Sequence, residues 1–380
     1  MPGPLFYPSP AAVPPTAGLD DLRGRIDAHL RDYLQAQRAD YLRRPALGAL
    51  YDDLTDFVLR PGKRLRPLLF LLAERVFAEE STPGMDEKRD LLGAAVSLEL
   101  LHAFILIHDD IIDRSETRRG LPTLHRAIEG RLPPFTDRHR AGTNLALVLG
   151  DVLFALAQKS LLESAAAPPA ILARLGSLLL GCMVETGFGE AADILYGTRD
   201  VARVGTAEIE QMYLLKTTRY TIECPLAMAA VLHGVDADGL DTLARVARPA
   251  GLAFQVQNDL VEFARFERSD AEVPADILEG KKTLLMRAAF DLLNETDRGL
   301  LQLCFTACGP SEGTVSKARD LIAKSGAVHV LGRRMDELFA QADAEVLRSR
   351  FSPVVQERLL GLIRLVRGLT GGVEKIRTHG

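Results

Sequence analysis

Apolar residues recur at intervals of three and four along most of this chain, the period of a helix with one buried face. From about Leu19, the run LDDLRGRIDAHLRDYLQAQRADYL predicts a first helix. A second, near 46–59, stops at Pro61-Gly62, and a third begins between Lys63 and Pro67 and reaches about Phe77. A more apolar pattern predicts a helix over 88–113, followed by a loop-rich stretch at 114–138 with Gly120, Pro122 and Pro133-Pro134. Helices are then expected at about 141–164, 169–196, 207–233 and 238–266, with a charged loop at 267–280 and further helices to the end. Strand-type alternation with hairpin turns does not recur, so no sheet is expected. Residues 1–18 hold six prolines and read as a disordered tail. No repeat of solenoid length and no second composition regime appears. Residues 19–380 are therefore expected to form one all-α domain, a single helical bundle around a central cavity.

Composition narrows the partners. The net charge is −5 with no basic run, which argues against nucleic acid. Cys182, Cys224, Cys304 and Cys308 lack metal-type spacing and read as small core residues. The first basic residue is Arg23, so no signal peptide is expected. Glu99, His102 and Asp151 interrupt the longest apolar runs, so no transmembrane segment is expected either. With few cysteines, these features point to the cytoplasm.

The chemistry lies in two acidic clusters far apart in sequence. Asp109, Asp110 and Asp113 close the apolar run LHAFILIHDDIIDRSETRRG; Asn258, Asp259 and Glu262 lie in GLAFQVQNDLVEF. Asp109 and Asp113 share one helix face at a spacing of four, and Asn258 and Glu262 repeat that spacing. Carboxylates beside Phe104, Ile105, Leu106 and Ile107 need a cation, and magnesium takes hard oxygen ligands while bridging them to substrate phosphates. Arg118 and Arg119 follow within ten residues, a composition suited to phosphate. Lys63, Arg64 and Arg66 in GKRLRP stand where a loop becomes a helix, another phosphate-holding arrangement. His102 lies two turns before Asp109; Lys216, Thr217 and Tyr220 follow the apolar MYLL; Glu190 and Asp193 give a further acidic face; Lys281 and Lys282 begin a helix. A GxxxxGK[ST] loop is absent, which excludes P-loop chemistry.

In order along residues 45–290, these segments resemble the trans-isoprenyl diphosphate synthases, or polyprenyl synthetases. The resemblance is carried by GKRLRP, by the DDxxD of Asp109–Asp113 with Arg118-Arg119, by Glu190/Asp193, by Lys216-Thr217, by Phe254-Gln255 and by Gly280-Lys281. It implies a helical bundle, a homodimer, three magnesium ions, and head-to-tail condensation of isopentenyl diphosphate with an allylic diphosphate. Carried over, Asp109, Asp113 and Asp259 would hold magnesium within clusters that include Asp110, Asn258 and Glu262. Arg118, Lys216 and Lys281 would hold the allylic diphosphate. Lys63, Arg66, His102 and Arg119 would hold isopentenyl diphosphate, and Thr217 and Gln255 would face the developing cation.

The chain departs from the family pattern twice. The second cluster reads Asn-Asp-Leu-Val-Glu where the family has DDxxD, which loses a charge and lengthens an arm. Ala271 and Glu272 stand where the family places a lysine before Asp276, with Arg265 or Arg268 as substitutes. Phe104 lies five residues before Asp109, roughly 7.5 Å down the helix, and should floor the tail cavity beside Leu101 and Ile105. One ring without an insertion resembles twenty-carbon synthases, so geranylgeranyl diphosphate is the expected product, with farnesyl diphosphate next. The alternatives are a class I terpene cyclase on the same scaffold and a non-catalytic subunit of a heteromeric synthase. Retention of Lys63, Arg66, His102 and Arg119 and the scarcity of aromatics argue against the cyclase, and the intact first cluster argues against the subunit.

Overall fold

The computed structural model describes residues 18–41, 45–78, 91–164, 167–266, 280–306 and 312–368. The expected tail at 1–17, most of the 267–280 loop with Arg268, Ala271, Glu272 and Asp276, and Cys308 lie outside the described residues. The architecture is all-α, as the periodicity predicts. In order come α1 (Leu19–Tyr41), α2 (Pro45–Leu59), α3 (Leu65–Phe77), α4 (Leu92–Ile112), α5 (Leu124–Arg131), α6 (Arg138–Glu163) and α7 (Pro169–Gly197). Then follow α8 (Thr206–Tyr213), α9 (Cys224–Leu232), α10 (Ala237–Phe266), α11 (Leu284–Leu292), α12 (Glu295–Thr306), α13 (Glu312–Ser325), α14 (Ala327–Arg348) and α15 (Pro353–Gly368).

Two expectations are corrected. The stretch 114–138 contains α5 and a small antiparallel hairpin, β1 (Thr117–Arg118) with β2 (Leu121–Pro122). Its strands are two residues long, too short for alternation to register. The segment expected as one helix at 207–233 changes its winding: Leu214–Glu223, between α8 and α9, is a π-helix. Also, α6 and α7 are each long and apolar enough, by length and average composition, to cross a membrane. The expectation of no such segment rests on unbroken apolar runs, whereas length and average composition are not defeated by isolated charges such as Asp151 and Glu185.

By internal contacts the chain divides into two compact units, residues 1–177 with 231–233, and residues 178–230 with 234–380. In the first, α4 is apolar nearly all round and is buried along most of its length. It packs antiparallel on α6, with His108 against Gly150 near one end and Gly93 against Ser160 and Ser164 near the other. Gly150 permits this approach: a Cβ there would lie 2.6 Å from His108 Nε2. Asp137 caps α6 by accepting from Arg140 N–H at 3.2 Å.

Arg64 ties α1, α3 and α4 together. It sits just before α3 in the left-handed region (φ 48°, ψ 38°), a conformation that strains a residue with a side chain. Its guanidinium donates to Asp27 on α1 at 2.7 Å, to Glu99 on α4 at 2.6 Å and to the Arg60 carbonyl at 3.0 Å. The Arg64–Glu99 pair is almost fully buried. Glu99 and Asp27 hold the Arg64 guanidinium above its ordinary range although burial opposes this.

In the second unit, α10 packs along the π-helix and α14. Two glycines give the π-helix room, one against its backbone and one against a side chain. A Cβ on Gly189 of α7 would lie 2.3 Å from Lys216 N, and one on Gly251 of α10 would lie 2.3 Å from Thr218 Cγ2. Thr283 caps α11 by accepting from Met286 N–H at 3.2 Å. Lys282, buried beside it, donates to the carbonyls of Gly280 and Gly197 (3.3 Å to the latter), which fixes the entry to α11. Burial lowers the Lys282 ammonium from its ordinary value.

Removing one partner of a buried, hydrogen-bonded ion pair leaves the other charge uncompensated. Arg64→Met should therefore destabilise the chain by about 3–5 kcal/mol in urea unfolding. A loss below about 1 kcal/mol, the scale of an exposed pair, would show that Arg64 and Glu99 are solvated instead.

Candidate functional site

In the first unit, the acids gather at the C-terminal end of α4, the negative end of its dipole and a natural seat for a cation. Asp109 and Asp110 lie in the last turn; Asp113 follows it, its N–H donating to the Asp109 carbonyl at 2.8 Å. Their environments differ. Asp109 has a partly exposed side chain, whereas Asp110 is 1% exposed. Arg118 Nε donates to Asp110 Oδ1 at 2.7 Å, and its Nη2 lies 2.6 Å from the same oxygen and 3.3 Å from Asp109 Oδ2. Asp110 Oδ2 is buried without a hydrogen-bond partner among the described residues. Burial pushes the Asp110 carboxyl up to about 6, with Arg118 pulling the other way.

The arginines are presented by the hairpin. Arg119 (φ 56°) and Gly120 (φ 75°) are its two turn residues, both in the left-handed region, the signature of a type I′ turn. The hairpin and the loop before α3 are latched reciprocally: Arg119 donates to the Pro61 carbonyl at 2.5 Å, and Arg60 donates to the Pro122 carbonyl at 2.7 Å. Gly62 makes room, since a Cβ there would meet the Arg119 guanidinium at 2.6 Å. The latch sets Arg119 beside the GKRLRP segment. His102 feels the result: burial, then Arg66, Arg119, Arg118 and Arg64 hold its imidazole well below its ordinary value, so it is neutral. Arg66, His102 and Arg119 thus share one neighbourhood, and Arg66 is buried. Lys63 is exposed on the same loop. Arg64, read from sequence as a phosphate holder, instead points into the core to Asp27 and Glu99.

Five residues before Asp109, the Phe104 ring packs edge-on to His108 (centroids 4.6 Å apart) and against Phe154 of α6 (5.3 Å). Leu101 is buried and Ile105 is half-buried. Sequence reading missed Phe154, one apolar residue among many on α6.

In the second unit, Lys216 on the π-helix lies 2.8 Å from Glu190 Oε2 and 2.6 Å from Asp193 Oδ2, both on α7. Thr217 is half-buried beside it. Departures from α winding often mark functional sites, and this ten-residue one carries Lys216, Thr217 and Tyr220, the three residues singled out in that segment. On α10, Gln255, Asn258 and Glu262 are half-buried, whereas Asp259 is 6% exposed. Gln255 Nε2 donates to Asp259 Oδ1 at 2.9 Å and the Tyr213 hydroxyl donates to Oδ2 at 2.5 Å. Lys281 is half-buried just before α11, and Arg265 is exposed. Tyr213, three residues before Lys216, was not anticipated; it read as one more apolar position.

Among the described residues, no three His, Cys, Asp or Glu side chains close into a metal cage. That donor set still fits magnesium, which keeps waters and binds through one or two carboxylates plus substrate phosphates. Asp109 and Asp113 offer hard oxygens one helical turn apart. Cys182, Cys224 and Cys304 are buried and unbridged, in keeping with a core role.

Comparison with known proteins covers most of the chain. The family model for polyprenyl synthetase matches residues 48–322. A geranylgeranyl pyrophosphate synthase of Geoglobus acetivorans is 32% identical over 242 residues, 64% of this chain and 68% of that protein. A geranylfarnesyl diphosphate synthase of Natronomonas pharaonis is 28% identical over 277 residues, 70% of this chain and 74% of that protein. Among solved structures, a geranylgeranyl pyrophosphate synthase of Corynebacterium glutamicum, complexed with isoprenyl diphosphate and magnesium, superposes with a TM-score of 0.79 at 25% identity. That match covers 92% of this chain and 98% of the other. The match to the family model spans well over half of the sequence and includes every segment on which the resemblance rests, so this chain belongs to the polyprenyl synthetase family and is a prenyltransferase.

Proposed function

We propose that this protein condenses isopentenyl diphosphate with allylic diphosphates head to tail, with geranylgeranyl diphosphate as the main product and farnesyl diphosphate next. The carrying observation is the cationic neighbourhood of Arg66, His102 and Arg119, with Lys63 on the same loop. A reaction on one diphosphate has no use for this second anion site; a condensation of two diphosphates does.

The residues divide by task. Lys63, Arg66, His102 and Arg119 hold isopentenyl diphosphate. Neutral His102 serves as a hydrogen-bond donor beside the arginines, which supply the charge. Arg118, Lys216 and Lys281 hold the allylic diphosphate. Asp109 and Asp113, with Asp110 behind them, would hold magnesium, as would Asn258 and Glu262 of the second cluster, three ions in all. When bound, magnesium neutralises the diphosphate and stabilises the charge that grows on it as a leaving group. The allylic C1–O bond breaks and its electron pair departs with the diphosphate. The π electrons of isopentenyl diphosphate then form the new C–C bond to C1. The resulting tertiary cation loses a proton to the released diphosphate and a double bond re-forms. The Gln255 amide nitrogen is committed to Asp259, which leaves its carbonyl oxygen, with the Thr217 hydroxyl, to face the developing cation. Glu190 and Asp193 hold Lys216 in place by ion pairs until the anion arrives.

Phe104 floors the tail cavity, backed by Phe154 and His108. Leu101 and Ile105 line the same stretch of α4. The relatives bear the names of geranylgeranyl and geranylfarnesyl diphosphate synthases, which supports a twenty-carbon or neighbouring length. The active form is a homodimer. Leu147, Val148 and Val152 on α6, and Leu180, Val184 and Phe188 on α7, are exposed apolar residues at helical spacing that a second copy would cover.

The direct test is incubation with magnesium, isopentenyl diphosphate and, in turn, dimethylallyl, geranyl or farnesyl diphosphate. The expected product is the twenty-carbon diphosphate, and Phe104→Ala should shift it to longer chains. Hydrocarbon from allylic substrate alone would make the chain a cyclase, and turnover only after addition of another protein would make it a subunit. Product length unchanged in Phe104→Ala would remove Phe104 as the floor. Light scattering should give twice the 41.5 kDa chain mass; a single chain mass would refute the dimer.

A further inference from the structure

The members of the second acidic cluster are not presented alike. Gln255, Asn258, Glu262 and Arg265 follow one another at intervals of three and four, a half-buried to exposed stripe of α10. Asp259 lies off that stripe and is buried. Both of its oxygens accept hydrogen bonds, Oδ2 from the Tyr213 hydroxyl at 2.5 Å and Oδ1 from Gln255 Nε2 at 2.9 Å. The Tyr213 hydroxyl in turn accepts from the Leu284 N–H at 3.2 Å. A hydroxyl has one proton and free lone pairs, so the chain of bonds runs one way: Leu284 N–H to Tyr213, Tyr213 O–H to Asp259.

One buried hydroxyl therefore ties three segments together. Tyr213 ends α8 and leads into the π-helix with Lys216 and Thr217. Asp259 holds α10 at the level of Gln255 and Asn258. Leu284 opens α11, three residues after Lys281. Each segment carries a residue assigned above to the allylic diphosphate, its cation or its metal.

We propose that Tyr213 and Asp259 form a clamp that positions the allylic-diphosphate residues, and that Asn258 and Glu262 supply the oxygens this cluster offers to magnesium. Asp259 is a positioning residue. A metal ion on it would compete for lone pairs with two donors that already orient it, in a place closed to the waters magnesium retains. The accessible stripe keeps two oxygen-bearing side chains one turn apart. This inference rests on the prenyltransferase reading and specifies how one half of that site is held in register.

The test combines metal counting with kinetics. Manganese stands in for magnesium, and the ions bound per chain are counted by electron paramagnetic resonance in the presence of a non-ionisable allylic thiodiphosphate. Tyr213→Phe and Asp259→Asn preserve volume and should bind as many ions as the unaltered chain. Both should raise KM for the allylic substrate about tenfold, the weight of one hydrogen bond to a charged group, with KM for isopentenyl diphosphate unchanged. The double variant should be no worse than either single one, because the clamp is one unit. Asn258→Ala with Glu262→Gln should lose an ion. A clamp that served folding alone would lower Tm without separating the two KM values. Loss of an ion in Asp259→Asn but not in Tyr213→Phe would overturn the proposal by making Asp259 a ligand; unaltered allylic KM in Tyr213→Phe would overturn it by removing the clamp. Failure of the unaltered chain to bind manganese with the thiodiphosphate would count against the prenyltransferase reading, a result that neither variant can mimic.

Discussion

The structure depends on the mutual neutralisation of acids and bases held closer than either would tolerate alone. At the end of α4, two consecutive aspartates and a third one turn later are tolerable because Arg118 lies across two of them. Around His102, Arg64, Arg66, Arg118 and Arg119 crowd one neighbourhood, and Glu99 helps to offset them. Backbone strain falls on arginines as well. All the non-glycine residues in the left-handed region among the described residues are arginines: Arg64, Arg114 and Arg119. Each occupies a conformation that costs on the order of 1–2 kcal/mol, and at Arg64 and Arg119 the guanidinium hydrogen bonds offset it. Surplus positive charge gathered at such cost suits a protein whose substrates are anions.

The same logic runs through the second unit with lysine in place of arginine. Lys216 rests on Glu190 and Asp193, and Lys282 rests on backbone carbonyls. The π-helix packs closely on both sides: Gly189 has no Cβ to collide with the backbone at Lys216, and Gly251 none to collide with the Thr218 side chain. Glycine here serves close packing, since neither residue has a positive φ.

Much of this was legible in the sequence, and the failures have physical reasons. The helices α1, α2, α3, α6, α7 and α10 follow the apolar period to within a few residues, because each buries one face. The acids at Asp109–Asp113 stood out because a polar cluster ended an apolar run. The β1–β2 hairpin and α5 did not, because a two-residue strand has no period and α5 is only two turns long. Arg64 was misread because spacing cannot distinguish an arginine facing solvent from one turned inward onto Asp27 and Glu99. Tyr213 and Phe154 were invisible because their importance lies in contacts with residues far away in sequence, Asp259 and Phe104. Asp259 was singled out as the magnesium holder of its cluster because a linear motif does not record that this member faces inward, onto Tyr213 and Gln255.

The central claim of the proposed function is that the acids at Asp109–Asp113 act on a diphosphate through a divalent cation, not on a cationic ligand directly. Calorimetric titration with the non-ionisable allylic thiodiphosphate tests it without turnover. The account predicts tight binding in magnesium and none in chelator, with Asp109→Asn abolishing the difference. Equal binding with and without magnesium, or binding unaltered in Asp109→Asn, would contradict it.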